Sequence, residues 1–552
     1  MRIEIMKNQK VLLSILVLLF VVLMSVPYLV PHTGALALFG LVPLLCMERI
    51  ATLSGMKRVW IWHYTAFLLW NAVTTFWVCN ATIGGGIFAC VANAFQMSLI
   101  FGTFRWSRRV LKGSLPYIFL AMLWIAWEKY YLTVAQISWP WLVLGNAFAG
   151  TVPLAQWYEY LGTLGGSLWI WACNLGLFGI MVSLSDGSWY RFNAKAKSAA
   201  ASSYAIVLLA PAIVSMSMYY SYKEDTARKL DVAIMQPNID PYHKFQALTQ
   251  DEQNAILQGQ MESVLKNRNA GDTSMLLILA PETFTGGVVT NDVGRSRTYR
   301  RFRSYLSDHQ DVNLLFGASS YSYLFSDNAP SATARNVGEN QWVESHNSAL
   351  IIDGKDNAEI YHKSKLVVGV EMTPYPAFFC KIDNLLGGVM GRCIGQDEVS
   401  LLHCVASDST GHITKSVPLG CAICYESVYP EHCAEYVRAG AEALVVITND
   451  AWWGDTPGYI QHLRYSSLRA IETRRDIARS ANTGISAFIN QRGDIVSHTA
   501  WWKPAVLTGS VNLNDSKTFF VRQGDIIGRM CAFFSILLLL GVVVRARITR
   551  QE

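Results

Sequence analysis

Charge is scarce in this chain, and the usual marks of a nucleotide-, nucleic-acid- or metal-binding protein are missing with it. Asp, Glu, Lys and Arg make up 16% of its 552 residues, against about 25% in ordinary soluble domains. A surface so short of charge faces something other than water over much of its area. The net charge of +6 is small for the length. No long basic run concentrates it, which argues against nucleic-acid binding as the main task. The eleven cysteines follow neither a zinc-ligand repeat nor a disulfide-scaffold pattern. No G-x-x-x-x-G-K-[ST] loop and no strand-linked G-x-G-x-x-G occurs, so nucleotide binding has no support. Neither a cofactor nor a metal is expected.

What is abundant is apolar sequence, at 52% of residues, and it is unevenly spread. Residues 1–222 and 526–545 hold long uncharged runs, whereas 223–525 carry frequent charges, Asn and Gly. This predicts a membrane bundle over 1–222, a soluble catalytic domain over 223–525, and a final membrane helix with a tail over 526–552. A helix needs about 20 apolar residues to cross a bilayer core. Eight candidates are Val11–Val26, Gly34–Cys46, Trp60–Cys79, Gly84–Phe104, Leu115–Val134, Leu161–Ser185, Ala199–Tyr220 and Ile526–Val544. The second is short and reads as half of a hairpin broken at Pro27 and Pro31. Lys and Arg gather in Met1–Lys10, Arg49–Arg58, Arg105–Lys112, Arg191–Lys197 and Arg545–Arg550, which are alternate connections in an eight-helix order. Because basic loops stay on the cytoplasmic side, this puts both termini inside and 223–525 outside. The first run lacks a small-x-small cleavage site and is read as an uncleaved anchor. Glu128 and Lys129 sit among Trp124, Trp127, Tyr130 and Tyr131, which suggests an interfacial belt with a snorkelling lysine.

Within 223–525, strands are expected at Asp231–Met235, Met275–Ala280, Asn313–Ala318, Ser348–Ile352, Leu419–Ile423, Ala443–Thr448, Ile485–Asn490 and Gly509–Leu513. Helices are expected over Thr249–Arg268 and Gly458–Arg479. The alternation points to a two-sheet α/β sandwich with helices outside. Three places join apolar strands to reactive side chains: Ala280-Pro281-Glu282, Tyr361-His362-Lys363, and Cys421-Ala422-Ile423-Cys424-Tyr425-Glu426. Cys424 would stand on a strand-to-helix turn near a helix N-terminus, a placement that lowers a thiol pKa. Each place also has a plain reading: a loop Pro-Glu, a solvated Lys363/Lys365 pair, or core, disulfide or redox cysteines at Cys421 and Cys424. Their order Glu–Lys–Cys, each at a strand exit, favours chemistry.

In that order and wording the chain resembles the nitrilase superfamily, and within it the membrane-anchored apolipoprotein N-acyltransferase family. Gly420–Glu426 is similar to the family's nucleophile motif, and Thr448-Asn449-Asp450-Ala451-Trp452-Trp453-Gly454 to the segment after it. Gln461-His462, Arg469–Glu472 and Ala481–Ser486 extend the likeness, as does Tyr361-His362-Lys363 followed by Glu371. Two positions depart from the pattern. Phe245 stands where members often carry Trp, and Thr283-Phe284-Thr285 replaces a small apolar run after Glu282.

The resemblance implies a four-layer α-β-β-α fold and a bacterial inner-membrane enzyme with its catalytic domain on the periplasmic side. In it, Cys424 would be the nucleophile, Glu282 the general base, and Lys363 the donor to the oxyanion. Glu371 would orient Lys363, and Tyr425, Glu426 and Phe245 would shape the pocket. The acyl donor would be a membrane phospholipid, and the acceptor the N-terminal amine of a diacylglyceryl-cysteine lipoprotein. Two rivals are a membrane-anchored amidase on a small soluble amide, which needs no lipid, and a non-catalytic assembly component, which predicts a broken triad. Tyr375–Met390, with Phe378, Phe379, Leu385 and Leu386, is a candidate arm dipping into lipid, or else an ordinary core segment. Cys380, Cys393, Cys404 and Cys433 would lie outside the cytoplasm, where disulfides form.

Overall fold

The computed structural model describes residues 2–241, 248–266, 268, 274–309, 311–385, 391–408, 410 and 412–551. Phe245 and Leu386, and the side chain of Leu385, lie outside what it describes. The chain divides into a helical unit, residues 1–135, 139–222 and 523–552, and a sandwich unit, residues 136–138 and 223–522.

In the helical unit, six helices among the described residues are long and apolar enough to cross a membrane: Gln9–Leu29, Gly34–Leu53, Ile83–Ser107, Tyr158–Ser185, Ala194–Ser221 and Ile526–Ile548. Eight were expected. The two remaining helices are Val59–Thr75, of only 17 residues, and Leu115–Thr133, which carries Glu128 and Lys129. The short second segment runs to 20 residues as three stacked helical pieces and counts among the six. Pro27 does not break the first helix, which continues to Leu29.

Glu128 faces neither water nor lipid. It is fully buried and accepts hydrogen bonds from Trp124 Nε1 at 3.1 Å and from the Leu144 amide at 2.8 Å. Lys129 lies 3.9 Å from Asp525. A carboxylate placed inside an apolar helix must find donors there; Trp124 of its own helix and the backbone of Leu144 supply them.

Among the described residues, the sandwich unit has fourteen strands. In chain order they are β1 (Lys229–Gln236), β2 (Leu276–Leu279), β3 (Thr285–Val289), β4 (Val312–Phe325), β5 (Arg335–Gly338), β6 (Gln341–Ile352) and β7 (Ala358–His362). They continue as β8 (Leu402–Ser407), β9 (Ile413–Ile423), β10 (Ala443–Thr448), β11 (Ile477–Ala481), β12 (Ala487–Ile489), β13 (Ile495–His498) and β14 (Ala505–Asn512). One sheet runs β14-β1-β2-β4-β6-β5, with β3 on β4 and β7 on β6; the other runs β13-β12-β11-β10-β9-β8.

Period-two alternation sorts the side chains. Val232, Ile234, Leu277 and Leu279 join a core with Leu419, Cys421 and Ile447 of the second sheet. Ala233, Met235, Leu276 and Ile278 pack with Leu257 and Met261 of the helix Gln250–Leu265, and with Phe302 of the helix Arg297–Leu306. Helices Pro430–Ala439 and Pro457–Thr473 contribute Ala434, Val437, Leu463 and Ala470 to the first of these cores. The result is the α-β-β-α sandwich that the resemblance implied.

One helix boundary was misread. The helix expected over Gly458–Arg479 ends at Thr473, Arg474 adopts φ 49°, and Ile477–Ala481 returns as a buried strand. A left-handed residue stops the helix, and a strand buried on both faces shows no period-two signal. All eleven cysteines are free thiols.

Candidate active site

Strands β2, β9 and β10 are parallel-paired within their sheets, and reactive side chains gather beyond their carboxyl ends, where open α/β sheets place ligands. Glu282 follows β2 after Ala280 and Pro281. Its turn is pressed against β4 at Gly317, whose amide donates to Pro281 O at 3.0 Å. A Cβ at Gly317 would lie 2.4 Å from the Thr283 amide nitrogen, so only glycine admits this approach. Thr283 itself takes φ 53°.

Lys363 follows β7, with its backbone amide bonded to Asn347 O on β6 at 2.8 Å. Its Nζ lies 3.1 Å from Glu282 Oε1 and 2.9 Å from Glu371 Oε1. Asn347 Nδ2 donates to the same two oxygens, at 2.8 and 2.6 Å. The Asn449 amide donates to Glu282 Oε2 at 3.1 Å, and the Val367 amide to Glu371 Oε2 at 2.7 Å. Each carboxylate is therefore satisfied by three donors while sharing one ammonium. Burial works against the Lys363 ammonium, but Glu282 and Glu371 outweigh it and hold its pKa well above the usual lysine range.

Cys424 stands one residue beyond β9, partly exposed, with φ 52°. A non-glycine residue in the left-handed region costs of order 1–3 kcal/mol and clusters at functional turns. The turn continues as a 3₁₀ segment, Cys424–Val428, and then the helix Pro430–Ala439. The expected depression of the thiol pKa is not found. Burial pushes it well above the usual range; Glu282 and Asp450 push it further, and Lys363 and a bond to Thr448 oppose. The resting group is therefore the thiol, because the 3₁₀ turn precedes the helix and the carboxylates outweigh the ammonium.

A second cluster also lies beside Cys424. Asp450, His462 and Arg479, fully buried, come from beyond β10, from the helix Pro457–Thr473 and from β11. Arg479 Nη2 is 2.7 Å from Asp450 Oδ2, and His462 Nδ1 is 3.0 Å from Asp450 Oδ1. His462 Nε2 is 3.0 Å from both Cys424 O and Ser427 Oγ. Burial opposes the Asp450 carboxylate, but Arg479 and His462 hold its pKa at about 2. Burial and Arg479 together lower that of His462, leaving a neutral ring. Ligating atoms of Cys424, Asp450 and His462 lie within 4.8 Å of one another, as a metal site requires. Arg479 already occupies the cation's place against Asp450, so the set reads as a polar support for the Cys424 turn.

Glu426, expected to shape the pocket, is held in a buried hydrogen-bond network. It is fully buried and accepts from the amides of Ser364 at 2.6 Å, Lys365 at 3.2 Å and Ile423 at 2.8 Å, and from Tyr361 Oη at 2.7 Å. It therefore staples the Lys363 loop to the Cys424 turn. Burial would raise its pKa, but His432, 3.2 Å away, holds it below the usual range. Tyr425 is buried; its Oη donates to Ser138 O at 3.3 Å and its ring meets Tyr429 edge-on. In the candidate arm, Pro376–Leu385 is helical and exposes Phe378.

Sequence reasoning missed Asn347 and the supporting roles of Asp450, His462 and Arg479. Asn347 carried no signal of its own, because β6 is already polar around it at Glu344, Ser345, His346 and Ser348. For the others nothing short of the fold joins residues so far apart.

A family model described as carbon-nitrogen hydrolase matches residues 212–519. A second, described as the N-terminal domain of apolipoprotein N-acyltransferase, matches 20–176. Among curated relatives, the apolipoprotein N-acyltransferase of Chlorobaculum tepidum is 26% identical, over 94% of this chain and 93% of its own. That of Geobacter metallireducens is 25% identical, over 92% and 91%. Among solved structures, Saccharomyces cerevisiae Nit3 of the nitrilase superfamily aligns over 53% of this chain and 93% of its own, at 14% identity and a TM-score of 0.36.

Proposed function

The chain belongs to the carbon–nitrogen hydrolase family and, within it, to the apolipoprotein N-acyltransferases, and from that premise we propose how its residues carry acyl transfer. It is a membrane enzyme of lipoprotein N-acylation. Its acyl donor is a membrane phospholipid, and its acceptor is the α-amine of a diacylglyceryl-cysteine lipoprotein. The site works on the outer face of the inner membrane, as the loop charges favour. Pulling an acyl chain into water would cost about 0.8 kcal/mol per CH₂, so both substrates are handled at the bilayer.

The observation that carries the mechanism is one ammonium held between two carboxylates beside a thiol on a left-handed turn. Glu282 takes the Cys424 proton as the sulfur attacks the carbonyl carbon of the acyl ester. The oxyanion accepts hydrogen bonds from Lys363 Nζ and a backbone N–H near Tyr425. Collapse breaks the C–O bond; the alkoxide takes the proton from Glu282 and leaves as lysophospholipid, with the acyl group on sulfur. The lipoprotein amine then attacks the thioester, Glu282 accepts its proton, and the C–S bond breaks. That proton returns to sulfur and the amide is released. Glu371 keeps Lys363 charged and aimed.

Incubation with labelled phospholipid and mass analysis of the trapped thioester tests this. Cys424→Ala is expected to abolish the adduct and Cys421→Ala, at a fully buried core position, to retain it. An adduct on Cys424→Ala, or its loss in Cys421→Ala alone, removes Cys424 as the nucleophile. Turnover of small amides with none of phospholipid would instead favour an amidase.

A further inference from the structure

The helical unit has a groove that acyl transfer leaves unexplained. It lies between the helices Val59–Thr75 and Ile83–Ser107, encloses about 540 Å³, and its lining is predominantly apolar. That volume is typical of a small-molecule site. His63 lines it and is 2% exposed. Its Nδ1 is bonded to Ser98 Oγ at 2.8 Å, while its Nε2 is buried without a hydrogen-bond partner among the described residues. A buried imidazole nitrogen is seldom left so in a native interior.

Charge sits at one end of the groove. Arg105, also in the lining, pairs with Glu48, and so does Arg108. Two guanidiniums on one carboxylate leave a positive charge there, and Arg109 and Lys112 follow in the same loop. Trp60 and Trp106 flank that end, as aromatic residues do at a membrane–water interface.

We infer that this groove holds one resident phospholipid with an anionic headgroup, distinct from the acyl donor. The phosphate faces Arg105, the glycerol ester region lies against His63, and an acyl chain runs along the apolar lining past Gly102. On the loop-charge reading this is the cytoplasmic leaflet, whose anionic lipids attract such basic ends. The inference stands apart from the acyl-transfer reading.

Native mass spectrometry of the full chain in detergent, titrated with phosphatidylglycerol or phosphatidylcholine of the same chains, tests it. A Cβ at Gly102 meets nothing within 4 Å, so Gly102→Leu fills the groove without a clash. Gly179→Leu is the control at an equally open, exposed helical position. One phosphatidylglycerol should be retained at least tenfold better than phosphatidylcholine. Gly102→Leu should lower that retention at least tenfold and His63→Phe at least threefold, with Gly179→Leu unchanged. Equal retention of the two lipids, or retention untouched by both groove variants, overturns the inference. So does efficient disulfide dimerisation of Gly102→Cys, which would seat a second copy of the chain on this face. If Gly102→Leu fails to fold, His63→Phe decides alone, since the new ring stays among Phe67 and Phe101.

Discussion

The two buried charge clusters beside Cys424 are built from similar groups and do different work. In one, Lys363 is shared by Glu282 and Glu371, and all three reach the site from strand exits and loops of the first sheet. In the other, Asp450, His462 and Arg479 form a closed ion pair and ring under the turn, touching Cys424 through its backbone carbonyl. The first cluster acts on the thiol electrostatically from two directions at once, Glu282 raising its pKa and Lys363 lowering it. The second holds the strained turn by its carbonyl, and its Asp450 adds to the rise of the thiol pKa. A buried charge serves the chemistry when it can take a proton or meet a developing oxyanion; one locked in its own ion pair serves the turn.

The contrast breaks most sharply at Lys363. Lys363→Met should lower thioester formation by at least roughly 10²–10³-fold, the scale of a lost oxyanion donor. It should also destabilise the fold by about 3–5 kcal/mol, because two carboxylates are left buried without their cation. Rates from labelled-lipid assays and thermal melts of the same preparation read both. Wild-type rates would remove Lys363 from the chemistry.

Glu282→Gln should cost roughly 10²–10⁴-fold in thioester formation, the range for a general base, with a much smaller loss of stability. The shape stays the same and Lys363 keeps Glu371. Equal damage to rate and stability would mean that the first cluster is architecture too.

Asp450→Asn tests the second cluster by pH. The folded pKa of about 2 lies below the usual 3.8. The wild-type carboxylate therefore contributes stability above pH ~4 that is lost as pH falls from ~4 to ~2, about 2 kcal/mol in all. Denaturant titrations across that window should show the slope in the wild type and lose it in Asp450→Asn. An unchanged slope would assign the acid sensitivity elsewhere.

The smallest effect is on the thiol itself. With its pKa raised by burial, alkylation of Cys424 should climb close to tenfold per pH unit from pH 6 to 9 without levelling. Mass spectrometry of the modified peptide follows it. A plateau near pH 7 would mean a stabilised thiolate and a stronger Lys363 influence than the geometry implies.

Much of this protein is set by local sequence. Apolar runs separate the helical unit from the sandwich because helix length and hydrophobicity are read residue by residue. Strand-like runs ending in Glu282, Lys363 and Cys424 mark the site because each reactive residue sits beside its own apolar strand. The thiol's raised pKa, Asn347 bridging two carboxylates, the Glu426 staple and the buried place of Glu128 were decided by tertiary structure alone. Each depends on groups from distant segments meeting at hydrogen-bond distance in a low-dielectric interior, where the balance of burial against neighbouring charge sets the outcome and no single segment contains both terms.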